Sequence, residues 1–161
     1  MEATILFAIS VLTSLIVWNS ISRKYFWPRF QDAELKKAAQ PILILHSFRF
    51  GGLSFLVPGV VHAGLNPAWA MPAAFGDFTA AILAFTTLSL INSASFKSFL
   101  WIFNIWGLLD LLLAFVDGPR YGIIPFLGAS YYIAILYVPI LLLTHIRVFK
   151  LLLKSKTLLA L

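Results

Sequence analysis

The stretch Ile42–Gly52, ILILHSFRFGG, decides how the rest of the chain is read. Four aliphatic residues and two phenylalanines surround His46 and Arg49, which lie three positions apart. In a soluble protein such a run is a core helix with a wet edge. In a bilayer it is a span, and its arginine must find a partner inside the membrane. Composition decides between these. The chain is 61% hydrophobic and only 11% charged, with a mean hydropathy of +0.94. A soluble domain carries about a quarter charged residues, and so few charges could not cover a wet surface. The chain reads as an integral membrane protein.

Working outward, five apolar runs fall at about 3–19, 41–64, 73–92, 99–115 and 126–148. Each approaches the ~20 residues that cross ~30 Å of hydrocarbon as a helix. Lipid offers no partner for backbone N–H and C=O, so spans must be helices or a closed barrel. None of the runs alternates as a barrel strand would. The expected fold is an all-α bundle of five transmembrane helices forming one domain. A loop (20–40) would join the first two spans, and an amphipathic tail (149–161) would follow the last.

Charge gives the orientation. Arg23, Lys24, Arg29, Lys36, Lys37, Lys97, Arg147, Lys150, Lys154 and Lys156 all fall on one side of this arrangement. Only Arg120 falls on the other, and Arg49 lies within a span. The positive-inside rule predicts N-out/C-in, with loop and tail in the cytoplasm. A signal peptide would carry its positive charge before the first apolar run. Here only Glu2 precedes it, so the run reads as a retained span. YFWPRF (25–30) combines aromatic and basic residues as the headgroup layer favours, which predicts contact with anionic lipids at the cytoplasmic face. The net charge of +6 is thereby explained without nucleic acid.

The tail RVFKLLLKSKTLLAL places Arg147, Lys150 and Lys154 on one stripe, with Val148, Leu151 and Leu152 opposite. This predicts a last span that bends onto the inner surface as an amphipathic helix. Pro72–Leu83 resembles Pro125–Leu136, which raises a two-hairpin repeat.

Without cysteine, the chain has no disulfide, thiolate metal site or cysteine nucleophile. It carries no Walker loop, H-E-x-x-H, G-x-S-x-G or Rossmann glycine pattern. What remains is a short set of polar residues within the spans. A charge at the bilayer centre costs at least ~2.5–3.5 kcal/mol on insertion scales, so these residues should face one another. His46 and Arg49 share a helical face. Asn104, Gly107 and Asp110 make a narrow polar and small stripe on the fourth span. At 1.5 Å per residue Arg49 and Asp110 reach similar depth, which predicts that they pair. Tyr137 and His145 lie on the fifth span.

Asp77 follows a helix start expected near Pro72. It would either complement the helix dipole there or open an outward cavity with His62, beyond a kink expected at Pro58. The small residues Gly51, Gly52, Ser54, Gly107 and Ala114 read as packing positions.

The segments HSFR, GLSFLVPG and PAAFGD, then NIWGLLDLLLAF and YVPILLLTHI, resemble small multi-pass bacterial inner-membrane proteins. The resemblance covers most of 41–148. It implies a bacterial plasma-membrane location and singles out His46, Arg49, Asp77, Asp110 and His145. It implies no particular chemistry.

The expected function is binding or transport of a small solute or of protons, with a homodimer favoured for transport. The path would use Arg49 for an anionic group, Asp110 as counter-ion or proton carrier, and Asp77, His46, Asn104 and Tyr137 along it. A second reading makes His46 and His145 the axial ligands of a haem b in a redox protein or membrane enzyme. A third is a structural accessory subunit. Two histidines with Asn104 are too few for a zinc site, so no metal is expected.

Overall fold

The computed structural model describes residues 2–30 and 33–157, the last three as backbone. Among these residues every regular element is helical, apart from one isolated bridge between Pro58 and Val61. Helix α1 (Ala3–Ile21) runs into a π-helical turn (Ser22–Phe26) and a 3₁₀ turn (Trp27–Phe30). Helix α2 (Leu35–Ser47) tightens directly into a 3₁₀ helix (Phe48–Leu56). Helices α3 (Pro67–Ser89) and α4 (Phe96–Arg120) follow. Two short 3₁₀ turns and a π-helical turn (Ile133–Tyr137) then lead into α5 (Val138–Thr157).

Four stretches are long and apolar enough to cross a membrane: Ala3–Phe30, Pro67–Ser89, Phe96–Arg120 and Gly128–Lys154. Their large apolar side chains point outward in numbers no aqueous surface tolerates, with Ile16 67% and Phe85 63% exposed. The segment containing Arg49 is not one of the four. It occupies the middle of the bundle, packed on α3.

Several boundaries differ from those read in the sequence. Helix α3 starts at Pro67, six residues before the expected 73. Asn66 caps it, its side-chain oxygen accepting from the Ala68 N–H at 3.0 Å. Pro67 takes the first helical position, where its missing N–H costs nothing. Pro72 is therefore inside the helix and not its start. The second helix ends at Leu56, so Pro58 sits in the following turn and kinks nothing. Most of the expected loop 20–40 is helical.

Helix α5 runs unbroken past Arg147 to Thr157 and does not bend onto a surface. Its apolar stripe is covered by protein: Val148 and Leu152 are buried against Ala39, Leu43, Phe96 and Leu100. Residues 158–161 of the expected tail lie outside the described residues. The repeat also dissolves, because Pro72–Leu83 is continuous α-helix whereas Pro125–Leu136 is built of 3₁₀ and π turns.

The helices close on α3 because its inner face is small. Ala70, Ala73, Ala74, Gly76, Ala80, Ala81 and Ala84 are all buried, so neighbouring backbones approach closely. Two larger apolar cores result, beside a small cluster of Leu111, Val138 and Leu141. One gathers Leu43, Leu100, Phe103 and Leu152; the other gathers Phe55, Trp69, Ile124 and Leu127. The polar side chains lie in a layer between them.

Candidate functional site

Arg49 is the largest fully buried side chain, 1% exposed. A guanidinium cannot lose its charge and offers five N–H groups, so each needs an acceptor. All five have one. The Nε–H donates to Asp77 Oδ1 at 2.8 Å. Nη2 lies 2.7 Å from the same Asp77 oxygen and 2.7 Å from Asp110 Oδ2. Nη1 donates to the Gly107 carbonyl at 3.1 Å and to His145 Nε2 at 3.3 Å. Arg49 and Asp110 therefore meet, as their depths predict. Every nitrogen of Arg49 is thus engaged within the protein.

Asp77 completes the site, and its position corrects the sequence reading. With α3 starting at Pro67, Asp77 lies about 15 Å along the helix. Asp110 lies about 15 Å from the Arg120 end of α4, the same end of the bundle. Asp77 is thus a mid-helix partner of Arg49, neither a first-turn charge nor a companion of His62. His62 sits in the loop beyond Leu56, its Nδ1 accepting from the Gly64 N–H and its ring against Phe126.

Three glycines from three helical segments make room for this cluster. A Cβ on Gly52 would overlap the Asp77 side chain, one on Gly76 the Asp110 carboxylate, and one on Gly107 both His145 and Arg49. Gly52 and Gly107 are therefore needed by the site, beyond helix packing, and Gly76 joins them. Gly51 has nothing within 4 Å of its notional Cβ.

The two histidines extend the layer. Asn104 Nδ2 donates to the His145 carbonyl at 3.2 Å, which turns Asn104 Oδ1 toward His145 Nδ1 at 2.8 Å. His145 then carries its proton on Nδ1 and accepts from Arg49 through Nε2, the one tautomer that suits an all-donor guanidinium. The Thr144 hydroxyl donates to the Ile140 and Leu141 carbonyls, so it accepts from His46 Nε2–H at 2.8 Å. His46 Nδ1 is left a bare acceptor. It is the one fully buried side-chain nitrogen or oxygen without a partner among the described residues.

The two rings touch edge to face, with centroids 4.3 Å apart. A bis-histidine haem needs two imidazoles opposed across the macrocycle. In this arrangement no slot lies between the rings, and both ring nitrogens of His145 are engaged. The residues as placed do not fit that cofactor. No group of three or more metal-ligating side chains occurs among the described residues. Tyr137 stands apart, its hydroxyl donating to the Leu45 carbonyl where α2 passes into 3₁₀ geometry.

Charge counting leaves one feature open. Two carboxylates face one arginine, a surplus of one negative charge. Asp77 Oδ2 and Asp110 Oδ1 accept no hydrogen bond from the described residues. Both side chains line an apolar cavity of about 50 Å³ with Phe7, Phe55, Trp69 and Phe115, room for a few waters. Asp110 also borders a cleft of about 300 Å³ between α3 and α4 with Ala68, Asp117 and Tyr121.

Fold and site together define an all-helical protein with four membrane-length apolar stretches and an arginine–dicarboxylate cluster buried at mid-helix depth. Within that class, the chain belongs to the family described as a domain of unknown function, DUF8737, which matches residues 6–153. No curated protein and no solved structure matches it.

Proposed function

We propose that the chain is a five-span protein of the bacterial inner membrane, N-out and C-in, that takes up a proton or small monovalent cation at Asp110 and Asp77. The fifth crossing is the α2–3₁₀ segment Leu35–Leu56. Thirteen residues at 1.5 Å and nine at 2.0 Å give about 37 Å, enough to span. The orientation rests on the ten basic residues gathered at one end. The resemblance to small bacterial membrane proteins supplies the location.

The observation that carries the reading is the full internal engagement of Arg49 beside a surplus carboxylate. Arg49 serves as a fixed positive charge that holds the two carboxylates in place. The surplus negative charge is what a proton or cation entering by the cavity neutralises. A purely structural clamp would need one carboxylate to neutralise Arg49, and the site brings two. His145 and His46 continue the polar layer toward the basic end, and His46 Nδ1 offers a proton acceptor there.

The test is flux in proteoliposomes holding a pH-sensitive dye, under an imposed potential, with proton, sodium and methylammonium arms. Asp110→Asn should retain the fold and abolish flux of the transported ion. Asp117→Asn, at the exposed ion pair with Arg120, should leave it intact. Equal flux in the wild type and Asp110→Asn would sink the reading.

A further inference from the structure

A second site lies at the basic end, between α1 and α5. Asn19, Arg23 and Trp27 recur every four residues along the first helix and the π and 3₁₀ turns that continue it. Leu143, Ile146, Arg147 and Lys150 recur on one face of α5. The two stripes face each other across a cleft of about 400 Å³. Arg23, Arg147 and Lys150 have no carboxylate within ion-pair distance among the described residues. The Asn19 carboxamide makes no hydrogen bond to them either.

The Arg147 guanidinium lies over the Trp27 ring, 5.3 Å from its centroid. This cation–π contact holds the guanidinium at the cleft wall and takes up none of its N–H groups, which suit a bidentate acceptor. Three cations that find no carboxylate among the described residues therefore line one walled cleft.

We propose that this cleft binds a phosphate-bearing anion, the headgroup phosphate of an acidic phospholipid, held by Arg23, Arg147 and Lys150. Phosphate matches the fork of an arginine better than a simple point anion does. The surroundings favour the lipid source over a soluble one. Leu143 and Ile146 carry the cleft wall toward the apolar body of the protein. Ile16 and Leu12, one and two turns deeper on the same stripe of α1, are 67% and 60% exposed. An acyl chain leaving the phosphate would lie along them. This inference does not depend on the Arg49 cluster.

The test is native mass spectrometry of the full chain released from detergent, titrated with phosphatidylglycerol or phosphatidylcholine, and with inorganic phosphate as competitor. Phosphatidylglycerol should bind at least tenfold tighter than phosphatidylcholine. Each cation removed should weaken it about fivefold, so the double variant Arg23→Gln, Lys150→Gln should lose about twenty-five-fold. Both side chains are exposed, so an unchanged melting temperature without lipid checks that the fold is kept. Lys97→Gln, a cation of the same end but outside the cleft, should change nothing. Inorganic phosphate competing at millimolar concentration, with equal affinity for short- and long-chain lipids, would retain the phosphate site and assign it to a soluble ligand. Equal binding of the two lipids, or an equal loss in Lys97→Gln, would overturn the proposal.

Discussion

The charge count around Arg49 makes a prediction that simple additivity would not. Wild type sets one cation against two carboxylates. Asp77→Asn or Asp110→Asn alone brings the site to neutrality and keeps the shape of the side chain. Asp110 gives Arg49 one charged acceptor and Asp77 gives two contacts. A charge-assisted hydrogen bond contributes about 1.5–3 kcal/mol, and part of this returns through the amide oxygen. Each single variant should therefore cost about 1–2 kcal/mol, with Asp77→Asn the larger.

The double variant is different in kind. It leaves a buried, permanently charged guanidinium with only neutral acceptors, a situation that costs about 3–5 kcal/mol beyond the lost bonds. The coupling between the two positions should thus be about 3 kcal/mol or more in the direction of extra damage. Reversible unfolding in mixed micelles, followed by far-ultraviolet circular dichroism, measures all four corners of the cycle. Strict additivity would mean that the two carboxylates do not share the charge of Arg49, and the argument from surplus charge would fall.

The remaining predictions use other parts of the same layer. Gly76→Ala places a methyl group on the Asp110 carboxylate and should cost about 1–3 kcal/mol, whereas Gly51→Ala, with open space at its Cβ, should be within about 0.5 kcal/mol of wild type; thermal melts of the pair decide. Thr144→Val removes the acceptor of His46 Nε2–H and leaves both nitrogens of a buried ring unpaired, so it should destabilise by about 1–3 kcal/mol in the same assay. Asn66→Ala removes the cap of α3 and should cost about 1 kcal/mol, with hydrogen exchange accelerated in the first turn after Pro67.

Much of the helical layout is legible in the sequence, because in lipid a long apolar run has one backbone solution. The apolar centre of α4 is found by composition alone. Boundaries are less legible, because lipid does not mark them and several signals compete. At α3 two prolines five residues apart could each start a helix. Only the Asn66–Pro67 pair provides both a cap acceptor and a proline at the first helical position, and that local signal outweighs the hydropathy edge near Pro72. The displacement matters for the site. It moves Asp77 from the first turn to mid-helix and so supplies the second partner of Arg49. The pairing of Arg49 with Asp110 needed only depth and sign. Edge contact between the His46 and His145 rings was not legible, since matching depth does not fix how two side chains are rotated. Nor was the use of Leu152 as a core residue, because a basic stripe on a helix says nothing about what covers its other face.

The glycines argue for the size of whatever neutralises the cluster. Gly52, Gly76 and Gly107 each press backbone against a different member of the site, so Asp77, Asp110 and His145 cannot move apart without losing contacts on every side. A site compressed in this way admits no bulky group between Arg49 and its carboxylates. The sides left open are the apolar cavity, with room for a few waters, and, at Asp110, the cleft between α3 and α4. An anion arriving there would meet two carboxylates before it reached the arginine, and would be repelled. A proton or a small cation would be drawn in, and Arg49 limits how strongly by cancelling one of the two charges. Arg49→Met, close to the same length but uncharged, should therefore turn a reversible site into a tight one. Cation affinity at the cavity should rise at least tenfold if the protein still folds, and uptake measured by isothermal titration should show it. Affinity unchanged by the loss of Arg49 would mean that the arginine serves the helices alone.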